Sequence, residues 1–83
     1  SLCSVYLFNV TFRGLHLKYV DFSRATLENV NFEEATLDHV DFSFATLINA
    51  SFALSTITDT TFFSANIFLS NFSRSNFSIF ATI

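Results

Sequence analysis

The sequence has no proline, no methionine, no tryptophan and a single glycine, Gly14. Proline and glycine are the usual residues of tight turns, so any turns in this chain must be built from other side chains. Cys3 is the only cysteine, which excludes an intrachain disulfide; a lone thiol of this kind reads as inert. No apolar run approaches the roughly 18 residues that a membrane-spanning helix needs, so membrane insertion is not expected. No basic-then-apolar leader opens the chain and no methionine starts it, and we read it as a processed chain or the ordered part of a longer one. Charge is also scarce. Only 13% of residues are charged and the net charge is -3, which argues against a nucleic-acid partner held by phosphate neutralisation.

What remains is heavily apolar. The 83 residues are 51% hydrophobic and 18% aromatic, with 13 phenylalanines. Disordered chains show the reverse, low hydrophobicity and high charge. A skew of this size signals a repeat or a fibrous protein. The repeat is plain from Val20 to Asn49, VDFSRATLENVNFEEATLDHVDFSFATLIN. Each decapeptide there opens with Val and carries Phe third, Ala sixth and Leu eighth.

A period of five lies beneath the ten. Stepping from Leu2 by five gives Leu7, Phe12, Leu17, Phe22, Leu27, Phe32, Leu37, Phe42, Leu47, Phe52, Ile57, Phe62, Ile67, Phe72 and Phe77, all large and apolar. Two residues before each lies a second, small or β-branched series, typified by Val20, Ala25, Val30 and Ala35, with Leu15 as its one bulky member. The residue between is mostly Asp, Asn, Thr or Ser. This period matches neither the helix nor the strand. A short, strictly kept repeat of another length points to a solenoid, whose coils bury one another.

The pentads VDFSR, ATLEN, VNFEE, ATLDH, ANIFL and SNFSR resemble the pentapeptide-repeat family: a small residue, Asp or Asn, Leu or Phe, then two variable places. The resemblance runs from Val5 to about Ile79. It implies an all-β fold, a right-handed quadrilateral β-solenoid with four pentads per coil. The central residue and the small one point inward and the other three outward. The 83 residues then make about four coils, with no capping helix recognisable at either end. Residues 1–79 form the repeat and residues 80–83 a tail out of register, because Phe80 falls on a small place and Thr82 on a central one. Ser55, Thr60, Ser70 and Ser75 make the later inner series more polar.

Such coils lie about 4.8 Å apart, the spacing of paired strands, so residues one coil apart become neighbours. Arg13 is expected beside Glu33 and Lys18 beside Asp38, both favourable; Asp21 beside Asp41 is not. Acid is concentrated between Asp21 and Asp41, with Arg24 the only cation there. Beyond it the outside turns apolar. Phe44 and Phe63 fall on one face, and Ile48, Phe68 and Leu69 on the next; outward clusters of this kind mark contact surfaces. Asn9, Asn49, Asn71 and Asn76 head sequons at outward places and are candidates for N-glycosylation, although the repeat itself favours Asn and Ser or Thr at these offsets. Asn9, Asn29 and Asn49 line up as a column able to form an amide ladder.

Tyr19, His39 and Asp59 also align in one outer column. A convex face lacks the water-excluding concavity and oxyanion donors of an active site, so no catalytic residue is assigned. Asp21 and Asp41 alone offer too few oxygens for a cation. No metal and no cofactor are expected. The reading is a non-enzymatic structural or assembly module, partnered by protein. Uncapped strand edges recruit further strands, which favours end-to-end self-association into a fibre, extracellular or at the cell surface, with attached glycans. The family resemblance implies a rival, a DNA mimic that binds type II topoisomerases. That function wants acid along the whole rod, and the dimerising C-terminal helix of those proteins is missing here. A spacer or partner-binding repeat of a larger intracellular protein is the third reading.

Overall fold

The computed structural model of the chain describes residues 1–77. Among them are eight short strands and no helix: β1 Tyr6–Phe8, β2 His16–Lys18, β3 Thr26–Glu28, β4 Thr36–Asp38, β5 Thr46–Ile48, β6 Thr56–Thr58, β7 Asn66–Phe68 and β8 Asn76–Phe77. Alternate strands pair. One sheet runs β1-β3-β5-β7 and the other β2-β4-β6-β8. Every pair is parallel and in register at one coil's separation, Leu7 with Leu27, Leu27 with Leu47 and Leu47 with Ile67, then Leu17 with Leu37, Leu37 with Ile57 and Ile57 with Phe77. The other two sides are bridge columns, Thr11–Asn31–Ser51–Asn71 and Asp21–Asp41–Thr61. Four sides of one pentad each close a 20-residue coil, and the molecule is a β-solenoid of about four coils, 27 × 20 × 19 Å.

The ten-residue repeat arises because adjacent sides are built differently. Pentads centred on Leu or Ile form the strands, and Thr26, Thr36, Thr46 and Thr56 open four of them; β-branched residues suit that backbone. Pentads centred on Phe form turns. Their Asp or Asn accepts the N–H two residues on, as in Ser23 N to Asp21 Oδ1 at 2.8 Å and Glu33 N to Asn31 Oδ1 at 2.7 Å. This is the Asx turn, a side chain standing in for backbone. A second bond closes the same turn, from Ala25 N to Phe22 O and from Ala45 N to Phe42 O, both 3.0 Å. The third residue of each has positive φ, 61° at Arg24 and 59° at Phe44, as a type II turn requires.

Positive φ recurs at every fifth residue from Ser4 to Arg74, at 14 non-glycine positions and at Gly14. These residues are the corners of the square. Left-handed backbone costs a residue with a side chain about 1–2 kcal/mol. Coil-to-coil backbone bonds offset that cost, for example Phe22 N to Asp41 O at 2.7 Å and Thr46 N to Ala25 O at 2.8 Å. The chain thus turns without proline by distributing strain over a ladder that satisfies the backbone.

Inside, Phe22, Phe32, Phe42, Phe52 and Phe62 are wholly buried together with Leu27, Leu37, Leu47 and Ile57. The rings form two stacks. Phe22, Phe42 and Phe62 lie 5.2 and 4.9 Å apart, while Phe12, Phe32, Phe52 and Phe72 lie 5.1, 4.8 and 4.8 Å apart. The stacks meet edge to face, at 5.7 Å and 90° for Phe32 and Phe42, a geometry that the ring quadrupole favours. Buried Ser55 and Thr60 are satisfied locally. Ser55 Oγ donates to Phe52 O at 2.6 Å, and Thr60 Oγ1 donates to Thr58 O at 3.1 Å while accepting from Val40 N at 3.3 Å.

Burial fades toward the two ends. Phe12, Leu17, Ile67 and Phe72 are half-buried and pack on the core from one side. Phe77, assigned to the core from its period, is 37% exposed; β8 pairs only with β6, so nothing described lies beyond it. Leu15 is likewise exposed in the first coil. The boundary expected at residues 79 and 80 lies outside the described residues.

Candidate functional site

The apolar corner is assembled by the repeat itself. Phe44 and Leu69 occupy corner places with φ of 59° and 54°. They and Phe63 and Phe68 are exposed, Leu69 at 88%, while Ile48 is half-buried. The rings of Phe44 and Phe63 meet edge on, with centroids 5.7 Å apart, and Phe44 N donates to Phe63 O at 2.9 Å. From the preceding coil the Arg24 guanidinium lies 4.7 Å from the Phe44 centroid, a cation–π contact. Around the same corner Ile48 on β5 pairs in register with Phe68 on β7. The result is a greasy corner with a cation at its rim, suited to an apolar partner surface.

Further exposed apolar side chains escaped the sequence reading. Leu54 holds a corner place like Phe44 and is exposed; Tyr6 and Phe8, the first and last residues of β1, are exposed too. The signal was available. Leu54 shares the fifth place of the pentad with Phe44 and Leu69, and Phe8 stands in the column of Glu28, Ile48 and Phe68.

The charge pairs depart from expectation in one case. Lys18 Nζ lies 3.9 Å from Asp38 Oδ2. Arg13, expected beside Glu33, instead donates to Glu34 Oε1 from Nη2 at 2.8 Å and from Nε at 3.0 Å. Glu34 is one place along from Glu33, and it stands one coil beyond Gly14, where the space for a side chain is open. Glu33 Oε2 accepts from Ser51 Oγ at 3.1 Å instead. The Arg13 guanidinium is pushed up by its bonds to Glu34. Tyr6 donates its hydroxyl to Glu28 at 2.8 Å, which raises the phenol. Asp21 and Asp41 are bridge partners. Hydrogen bonds from the Ser23 hydroxyl and N–H hold the Asp21 carboxyl below the usual carboxylate range. Several members of the acidic band therefore already have partners.

Two corner columns carry polar side chains in contact. Asn29 Nδ2 donates to Asn9 Oδ1 at 3.1 Å, and Asn49 Nδ2 donates to Asn29 Oδ1 at 2.6 Å. The second column holds Tyr19 and His39, ring centroids 4.8 Å apart, followed by Asp59, whose Oδ2 is 3.7 Å from His39 Nε2. It stands on a convex edge, and the described residues enclose no cavity. Of the sequon residues, Asn49 has its amide nitrogen engaged in the ladder, and Asn71 Oδ1 accepts from Ser73 N at 2.8 Å. Asn9 and Asn76 are exposed, as is Cys3.

The family model for pentapeptide repeats matches residues 6–43, in eight copies. Among solved structures the fold is similar to that of a pentapeptide repeat protein, Rfr23, from the cyanobacterium Cyanothece 51142, at 15% identity and a TM-score of 0.76. That likeness covers 95% of this chain and 60% of the cyanobacterial one, so this chain spans less than two thirds of its length. A weaker likeness, with a TM-score of 0.27 and 17% identity over 88% of this chain and 58% of the other, is to trypsin-treated QnrB1, a plasmid-mediated fluoroquinolone resistance protein. No curated protein matches the chain.

Proposed function

We propose that the chain, whose residues 6–43 match the family model for pentapeptide repeats, is a non-enzymatic interaction module, a rigid rod that packs laterally on protein through its apolar corner. The observation that carries this reading is the corner itself. Phe44, Phe63, Phe68 and Leu69 are exposed within two adjacent coils, where a soluble surface normally scatters such residues. The rod is held by a dense backbone ladder and a stacked core, so a docking face on it is pre-organised and loses little entropy on binding.

End-to-end association is the second element of the proposal. Leu7, Phe12, Leu17, Ile67 and Phe72 are only half-buried at the two axial ends. A second copy stacked in the same register would cover their open sides and continue both sheets. Such a contact is heterologous and propagates into a fibre. Glycans on Asn9 and Asn76 would keep such a fibre soluble in an extracellular setting. No observation favours the DNA-mimic reading; Glu28, Glu34 and Asp38 each have a partner within the chain, and beyond Asp41 the charged residues are Asp59 and Arg74 alone.

Sedimentation of the purified chain against Phe63→Ser/Phe68→Ser tests the lateral contact. The double variant should keep its β-sheet spectrum and lose association. Unchanged sedimentation overturns the patch as a contact surface. Intact mass with and without glycosidase tests the glycans.

A further inference from the structure

The His39 corner carries chemistry that the contact surface does not use. His39 Nδ1 lies 2.6 Å from Asp38 Oδ1. A carboxylate only accepts hydrogen bonds, so this nitrogen carries the proton. In the neutral ring Nε2 is then bare, and which nitrogen is free is set by the bond that the other makes. That bare nitrogen faces Asp59 Oδ2 across 3.7 Å. The gap is too long for a hydrogen bond, and the Asp59 carboxylate has no hydrogen-bond partner among the described residues. Two lone pairs thus confront each other with room for an atom between them.

We propose that His39 Nε2 and Asp59 Oδ2 are the protein ligands of a site for a divalent transition-metal ion such as zinc, with Asp38 as the positioning residue. Zinc lies about 2.0–2.1 Å from a histidine nitrogen and about 2.0–2.2 Å from a carboxylate oxygen. Those lengths span the 3.7 Å separation with an angle of about 125° at the metal, near the tetrahedral value that zinc prefers. Asp38 supplies the outer partner that metal-bound histidines almost always have, a carboxylate on the other ring nitrogen. Tyr19 packs on the imidazole, with centroids 4.8 Å apart, and confines the ring. Imidazole selects zinc, copper and nickel over magnesium and calcium. Water fills the remaining positions, as the exposed corner allows. Lys18 Nζ, 3.9 Å from Asp38 Oδ2, is the nearby cation that opposes binding.

The rival account is a proton: an imidazolium bridging both carboxylates without metal. Titration of the 83-residue chain with zinc chloride, followed by calorimetry and by the imidazole NMR signals of both histidines, separates the two. One saturable zinc per chain is expected, with shifts at His39 and none at His16, and no response to magnesium chloride. His39→Asn and Asp59→Asn should each weaken binding by about tenfold or more; Asn is chosen because it tolerates the left-handed corner. Asp38→Asn should weaken it by about tenfold, the size of an outer-partner loss. His16→Ala should bind as the parent chain does. Circular dichroism of each variant checks the fold. Absence of saturable zinc binding up to about millimolar, equal binding by His39→Asn, or equal shifts at His16 would each overturn the site. Phe63→Ser/Phe68→Ser should bind zinc unchanged, so the fate of this site and that of the contact surface are read separately.

Discussion

Truncation of Phe42 to alanine probes the core where it is most enclosed. The ring is wholly buried. It stacks on Phe22 at 5.2 Å and Phe62 at 4.9 Å, and it receives the edges of Phe32 and Phe52, both at 5.7 Å. Phe→Ala in a core costs about 3–5 kcal/mol, and more where the cavity cannot collapse. Collapse is blocked here, because Phe42 N donates to Thr61 O at 2.8 Å and accepting carbonyls fix the coil spacing on both sides. Aromatic pairs add about 0.5–1.5 kcal/mol each beyond burial, and four are lost. The expected loss is therefore at or above the top of that range, a large part of the roughly 5–15 kcal/mol that holds a domain together. Urea unfolding followed by far-UV circular dichroism measures it as a shift in midpoint. Asn49→Ala is the control. It gives up one exposed amide bond and places alanine at a φ of 53°, for about 1–2 kcal/mol. Equal losses for Phe42→Ala and Asn49→Ala would refute the assignment of inward and outward places.

The solenoid was legible because its determinants are local and repeated. One large residue in five, with a small one two places before it, states both the coil length and the inward faces. The difference between sides was half legible. Asp21 and Asn31 before Phe, against Thr26 and Thr36 before Leu, stand in the sequence, but only the bonds to Ser23 N and Glu33 N show why. The corners were not legible at all. Phe44, Leu54 and Leu69 have no intrinsic preference for positive φ; the closure of the square imposes it. Arg13 bonds Glu34 and not Glu33, a choice between adjacent columns that column counting does not make. The His39 corner was visible as a column of three residues, yet its meaning lies in a 2.6 Å bond to Asp38, its neighbour in sequence and not in the column.

Further outcomes can be stated from single groups. Glu34→Gln breaks an exposed pair and should cost no more than about 1 kcal/mol, vanishing at high salt; a salt-independent loss would mean that Glu34 acts otherwise. The lowered Asp21 carboxyl stabilises the fold above its ordinary titration range and loses that contribution as pH falls through the lowered value. Asp21→Asn keeps an acceptor for Ser23 N and should flatten the acid limb of a plot of urea midpoint against pH; an unchanged limb would place the acid sensitivity elsewhere. The strained corners offer a change of opposite sign. Leu54 is exposed at 53% and held at a φ of 60°, so it contributes little burial while bearing the left-handed penalty. Asparagine tolerates that conformation because its short amide can bond locally. Leu54→Asn should therefore stabilise the chain by about 1 kcal/mol, seen as a higher urea midpoint and melting temperature, whereas Leu54→Val, branched at Cβ, should lower both. The core is untouched in each variant, so the ordering Asn above Leu above Val isolates the backbone at the corner. A lower midpoint for the asparagine variant would show that Leu54 is held by contacts of its side chain, and that the corners are paid for by packing instead of by the ladder.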